Sequence, residues 1–207
     1  KNKISNSNKT YIIAEIGSNH DGNLEKAKEL IFLAAESGCQ AAKIQIPIAD
    51  ECYPPKTKFG GIYGDVEISE VIKSNEIPKD WIEKLVHFGR EIGISIGASA
   101  DGFIGFDLMV NGGIDFVKVP SFTISHIPLL KVIKKSKLPV LISSGAHNIS
   151  SLEEAVNVLE NPGIFHCISS YPAPLNSLNL NNISFLKSAF DLPIGFSDHS
   201  LNPTLGP

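Results

Sequence analysis

Two lysines stand in settings where a charge is costly. Lys43 lies within AAKIQIP and Lys118 within FVKVPS, each flanked by apolar residues. An ammonium there needs a partner of opposite charge, and a phosphate or carboxylate surrounded by short donors answers that need. Hydroxyls that can serve are close to other apolar runs: Ser121, Ser143, Ser169, Tyr171 and Ser197. The bland alternative for each lysine is an ordinary rim position. Glu15 interrupts the apolar run YIIAEIG, just before the polar turn SNHDG, so it is either part of a reacting centre or a hydrogen-bonded core glutamate. Gln45 has the parity of Lys43 and shares its face. Asp198-His199 offers a metal ligand with an orienting neighbour, although a structural histidine reads the same way.

These residues need elements that present them together. Strand-like runs fall at Tyr11–Gly17, Ala41–Pro47, Ile94–Ser99, Phe116–Ser121, Pro139–Gly145, Ile164–Ser170 and Pro193–His199. The first is apolar enough to be a parallel strand covered on both faces. Helical patterns separate them at Asn23–Ser37, Pro78–Ile92, Phe103–Asn111, Ile127–Lys135 and Asn182–Phe190. A further helix is capped by Ser150 or Ser151, with Glu153 and Glu154 at its positive end. Asp50–Ile77 is a long connection rich in Pro and Gly, a length usually reserved for functional or mobile loops.

A βα repetition of this kind gives a parallel sheet with right-handed crossovers. Both a doubly wound sheet and a TIM (β/α)8-type barrel satisfy it. Polar residues at the carboxyl end of nearly every strand favour the barrel, since an open sheet gathers its site at one switch point. No glycine-rich nucleotide motif follows any strand. Seven strands in 207 residues fall short of a full barrel of about 250 residues. The expectation is one barrel domain over residues 1–207, incomplete at its C-terminus, with an eighth strand and a further domain missing.

A net charge of −4 speaks against a nucleic-acid partner. No apolar run reaches the length of a membrane span, and the polar start KNKISNSNKT lacks a signal-peptide core. Cys39, Cys52 and Cys167 have no metal-ligand spacing and read as reduced, mostly buried thiols of a cytoplasmic protein.

The segments AEIGSNHDG, AAKIQ, VKVPSF with IPLL, PVLISSG, HCISSYPAP and GFSDHS, in that order, resemble the sialic acid (N-acetylneuraminate) synthase family. The resemblance runs from about Tyr11 to Ser200 and includes legionaminic acid synthase-like and spore-coat polysaccharide synthase-like members. It implies a metal-dependent, carbon–carbon bond-forming transferase of surface polysaccharide biosynthesis. The reaction would condense phosphoenolpyruvate with an N-acetylmannosamine-type sugar, releasing phosphate. By the same resemblance Lys43, Lys118, Ser143 and Ser197 contact phosphoenolpyruvate, with Gln45 and Ser121 around it. Glu15 sits near the reacting centre, Tyr171 meets the sugar, and His199 is one of two histidines holding Mn²⁺, Mg²⁺ or Co²⁺. The second histidine belongs to the family's eighth strand, and the full-length family protein is a homodimer whose C-terminal antifreeze-like domain reaches the partner's site. Two departures concern the sugar side: Thr123 stands where the family commonly has an acid, and Ser169 where it often has Asn. A Schiff-base lysine aldolase and a non-catalytic sugar-binding barrel are the competing readings.

Overall fold

Strands and helices alternate as the patterning requires in the computed structural model, which describes residues 4–5, 9–54, 56–58 and 65–205. The strands are β1 Ile13–Gly17, β2 Ala41–Gln45, β3 Ser95–Ser99, β4 Phe116–Val119, β5 Val140–Ser143, β6 Gly163–His166 and β7 Ile194–Phe196. The helices are α1 Leu24–Glu36, α2 Ala49–Cys52, α3 Ile68–Ser74, α4 Lys79–Glu91, α5 Phe103–Asn111, α6 Ile127–Lys135, α7 Ile149–Leu159 and α8 Asn181–Ala189. Strand order in the sheet follows chain order from β1 to β7, and the described pairings between named strands are parallel. A doubly wound sheet would reverse its order at a switch point; this one does not. The fold class is therefore the (β/α) repeat of a TIM-type barrel, with seven strands among the described residues.

The chain divides into two compact units, Tyr11–Val117 and Lys118–Pro207, the latter joined by Lys1–Thr10. In the first, Ile44 and Ile96 on strands and Ile31, Ile82, Leu85 and Met109 on helices are fully buried. In the second, Ile124, Leu129, Leu130, Ile142 and Ile164 are. Burial of each such side chain contributes about 1.5–3 kcal/mol.

Several boundaries differ from the sequence expectation, each for a local reason. β1 starts at Ile13, and Ile12 is exposed while Ile13 and Ala14 are only half-buried, so the strand is not covered on both faces. It stands first in the strand order and pairs with β2. β4 stops at Val119 because Pro120 has no N–H to continue the ladder. Ser121 instead opens a 3₁₀ turn, Ser121–Thr123. Asn148, not Ser150 or Ser151, caps α7: its Oδ1 accepts the Ser151 N–H at 2.9 Å. Glu153 and Glu154 consequently fall beyond the first turn. The Asp50–Ile77 connection contains α2 and α3; Pro55, Gly60, Gly61 and Gly64 of that reading lie outside the described residues.

One contact orders the start of this connection. The Glu51 carboxylate accepts the backbone N–H groups of Ile104 and Gly105 at 2.7 and 2.9 Å. The residue before α5 is Gly102, which has no side chain to cap with, and a Cβ there would lie 2.5 Å from the Glu51 carboxylate. Glu51 thus supplies from a distant segment the cap that α5 lacks.

Candidate active site

In the Tyr11–Val117 unit the predicted residues gather at the carboxyl ends of β1 and β2. Glu15 pairs in register with Lys43, and Lys43 with Gly97. The Lys43 ammonium, 5% exposed, lies 2.9 Å from Glu15 Oε2 and donates to Ser99 Oγ at 3.0 Å. Its cost of burial is offset by that ion pair, and Glu15 remains exposed to water. Gly97 makes room beside the lysine: a Cβ there would lie 2.1–2.5 Å from the Phe116 ring. Beyond Glu15 the register shifts before Gly17, whose φ is +58°. A bulge of this kind re-aims side chains at a strand end. Around the point where a Gly17 Cβ would stand lie Glu15 Oε1 at 3.5 Å, Asn19 Nδ2 at 3.8 Å and Gln45 Cδ at 3.9 Å.

His20 does not join this group. It is 2% exposed, and its ring meets Trp81 edge-on with centroids 5.6 Å apart. Nδ1 accepts the Gly22 N–H at 3.1 Å, so Nε2 carries the proton, and that buried N–H has no partner among the described residues. Burial holds the imidazole below its ordinary range, with Asp21 opposing and Lys26 assisting to lesser degrees.

In the Lys118–Pro207 unit, Ser143 ends β5, is 1% exposed, and its hydroxyl has no partner among the described residues. Lys118 is half-buried between Val117 and Val119. Ser121 Oγ lies 3.3 Å from Cys167 Sγ. Ser169, Tyr171, Ser197 and His199 follow β6 and β7 in loops; the sequence expectation had placed Ser169, Ser197 and His199 on the strands. His199 Nδ1 is 2.7 Å from the Ile168 carbonyl, which can only accept. The ring proton is therefore on Nδ1, leaving Nε2 as an acceptor near Ser197 Oγ at 3.3 Å and Tyr171 Oη at 3.5 Å. Tyr171 packs on the same ring at 4.3 Å between centroids. The orienting partner of His199 is thus the Ile168 carbonyl, while Asp198 accepts the Ser200 N–H at 2.8 Å. Thr123, expected on the sugar side, is buried, and its hydroxyl has no partner among the described residues.

His199 fits a divalent metal as one ligand, because a neutral imidazole with Nδ1 fixed on a carbonyl presents its Nε2 lone pair. Among the described residues no group of three or more His, Cys, Asp or Glu side chains could hold a metal. Ser99 and Cys167 stand beside the predicted residues without being among them. Ser99 did carry a signal, as a polar residue closing an apolar strand; Cys167 carried none, since its neighbour Ser121 is distant in the chain.

Parallel strands in chain order, with ionisable and hydroxyl groups at their carboxyl ends, define a protein of the barrel-enzyme architecture. The chain belongs to the NeuB family, which it matches over residues 30–205. It is 37% identical over 208 aligned residues to the spore coat polysaccharide biosynthesis protein SpsE of Bacillus subtilis, covering 95% of this chain and 55% of that protein. It is 34% identical to an N,N'-diacetyllegionaminic acid synthase of Campylobacter jejuni, covering 93% of this chain and 61% of that one. The crystal structure of an N-acetylneuraminic acid synthetase from Leptospira borgpetersenii superposes with a TM-score of 0.86 at 31% identity, over 96% of this chain and 68% of that one. The chain thus spans little more than half the length of these two curated relatives.

Proposed function

We propose that this chain is the phosphoenolpyruvate-binding part of a nonulosonic acid synthase. Such an enzyme condenses phosphoenolpyruvate with an N-acetylated amino sugar of the N-acetylmannosamine type. Membership of the NeuB family carries the reading. The Ser143 hydroxyl, buried without a hydrogen-bond partner among the described residues, supports it, being a group that an anionic ligand would complement.

In the reaction the enol carbon of phosphoenolpyruvate bonds to the aldehyde carbon of the open-chain sugar, whose oxygen takes up a proton. Water adds, with loss of a proton, at the carbon bearing the phosphate ester. The bond from that carbon to the ester oxygen then breaks and inorganic phosphate leaves. Lys43, Lys118, Ser121, Ser143 and Ser197 hold the phosphate and carboxylate in register for the attack. Glu15 holds or moves a proton at the reacting centre. Gln45, Ser169 and Tyr171 meet the ligands, and His199 Nε2 would hold a divalent cation. That cation, when bound, would act as a Lewis acid on the aldehyde.

The test is phosphate release from phosphoenolpyruvate with N-acetylmannosamine or a 2,4-diacetamido analogue, using the natural full-length protein. Chelator and His199→Ala are each expected to abolish turnover, and persistence in excess chelator removes the metal role. Lys118→Met should weaken phosphoenolpyruvate binding by roughly 2–5 kcal/mol by calorimetry, the range for removing one member of a buried charge pair. Unchanged affinity in a folded variant rejects the anion clamp.

A further inference from the structure

Gly145 follows β5 at a point where three polar atoms crowd together. A Cβ at this position would stand 2.4 Å from Ser169 Oγ, 2.9 Å from Cys167 Sγ and 2.9 Å from Ser121 Oγ. No side chain fits there unless one of these groups moves. The absence of a Cβ thus lets the loop after β5 approach the 3₁₀ turn after β4 and the loop after β6. Within this cluster Cys167 is 3% exposed, and its sulfur lies 3.3 Å from Ser121 Oγ.

From this geometry we infer that Cys167 is a positioning residue, whose thiol holds the Ser121 hydroxyl in the orientation that donates to the bound anion. The inference rests on the synthase reading, in which Ser121 faces phosphoenolpyruvate. The direction of the bond follows from donor and acceptor strength. A thiol is a weak donor and sulfur a weak acceptor, whereas a phosphate or carboxylate oxygen is a strong acceptor. With an anion present, Ser121 gives its proton to the anion, and its oxygen is left to accept from the Cys167 S–H. Without an anion, Ser121 has the sulfur as an acceptor. The sulfur therefore passes from accepting to donating when ligand arrives, in a chain running from thiol to hydroxyl to anion. Gly145 is what permits the distance, because a methyl group there would separate the sulfur from the oxygen.

The S–H stretch lies in a clear window of the infrared spectrum and falls in frequency when the thiol donates. The Cys167 band, assigned by its loss in Cys167→Ser, should shift down when phosphoenolpyruvate is added to the natural full-length protein. In Ser121→Ala it should not shift. By calorimetry, Cys167→Ala should bind phosphoenolpyruvate about three- to tenfold more weakly, the span of one hydrogen bond's net contribution. Cys167→Ser, which keeps a donor, should recover most of that loss, and a residue that merely filled space would show no such rescue. Three results overturn the inference alone: equal affinity in Cys167→Ala and wild type, equal losses in the Ala and Ser variants, or a ligand-induced band shift that persists in Ser121→Ala. Wild type that binds no phosphoenolpyruvate overturns the synthase reading, and this inference with it.

Discussion

A buried hydroxyl without a partner costs about 1–3 kcal/mol in desolvation, and Ser143 has none among the described residues. Ser143→Ala should therefore leave the melting temperature unchanged or raise it, while lowering phosphoenolpyruvate affinity about tenfold or more, as for a hydrogen bond to a charged group. A fall of several degrees in melting temperature would contradict the unpaired state. His20 carries the opposite kind of consequence, one of pH. Its folded-state affinity for protons is lowered mainly by burial, whereas an unfolded chain takes up the proton near the ordinary value of about 6.5. The unfolded state thus binds more protons just below that value. His20's contribution to stability is complete above about pH 6.5 and declines as pH falls toward the folded-state value. Urea unfolding across this range should show a shallower acid slope for His20→Gln than for wild type, and equal slopes would remove His20 as the cause. Neither effect was legible in sequence. His20 stands in the polar turn SNHDG yet is 2% exposed, and its packing on Trp81 is a contact between residues far apart in the chain.

At the scale of elements, apolar periodicity located α5 and α6 as the structure has them, because glycines follow the first and Pro128 opens the second. Strands were read too long for a different reason. An apolar run continues past the last ladder bond wherever the loop is buried by something other than a paired strand, as at Cys167. The α2 segment was read as loop because its helix is short and its anchor is remote. Its stability comes from Glu51 on the α5 terminus, a bond between residues far apart in sequence. Glu51→Ala should cost about 1–2 kcal/mol in chemical denaturation, as lost helix caps do. Glu51→Gln, with one acceptor oxygen instead of two, should fall between. A variant as stable as wild type would show that water replaces the cap.

For the molecule as a whole, sequential strand order and polar strand ends were both recoverable from spacing, and the NeuB family bears out the resemblance that six short motifs suggested. What spacing could not supply is which hydroxyl meets which thiol, because such pairings depend on a missing Cβ at Gly145 rather than on any pattern. The connection from β2 to β3 is the longest between paired strands. Glu51 lies early in that connection, while the amides it holds lie beyond β3. First-turn amides of a helix ordinarily exchange with solvent deuterium quickly, having no intrahelical acceptor. Those of Ile104 and Gly105 have an acceptor on α2, so they report from one helix on the opening of another segment. Their exchange rates should be slow in wild type, rise together in Glu51→Ala, and track the opening of α2 rather than the fraying of α5.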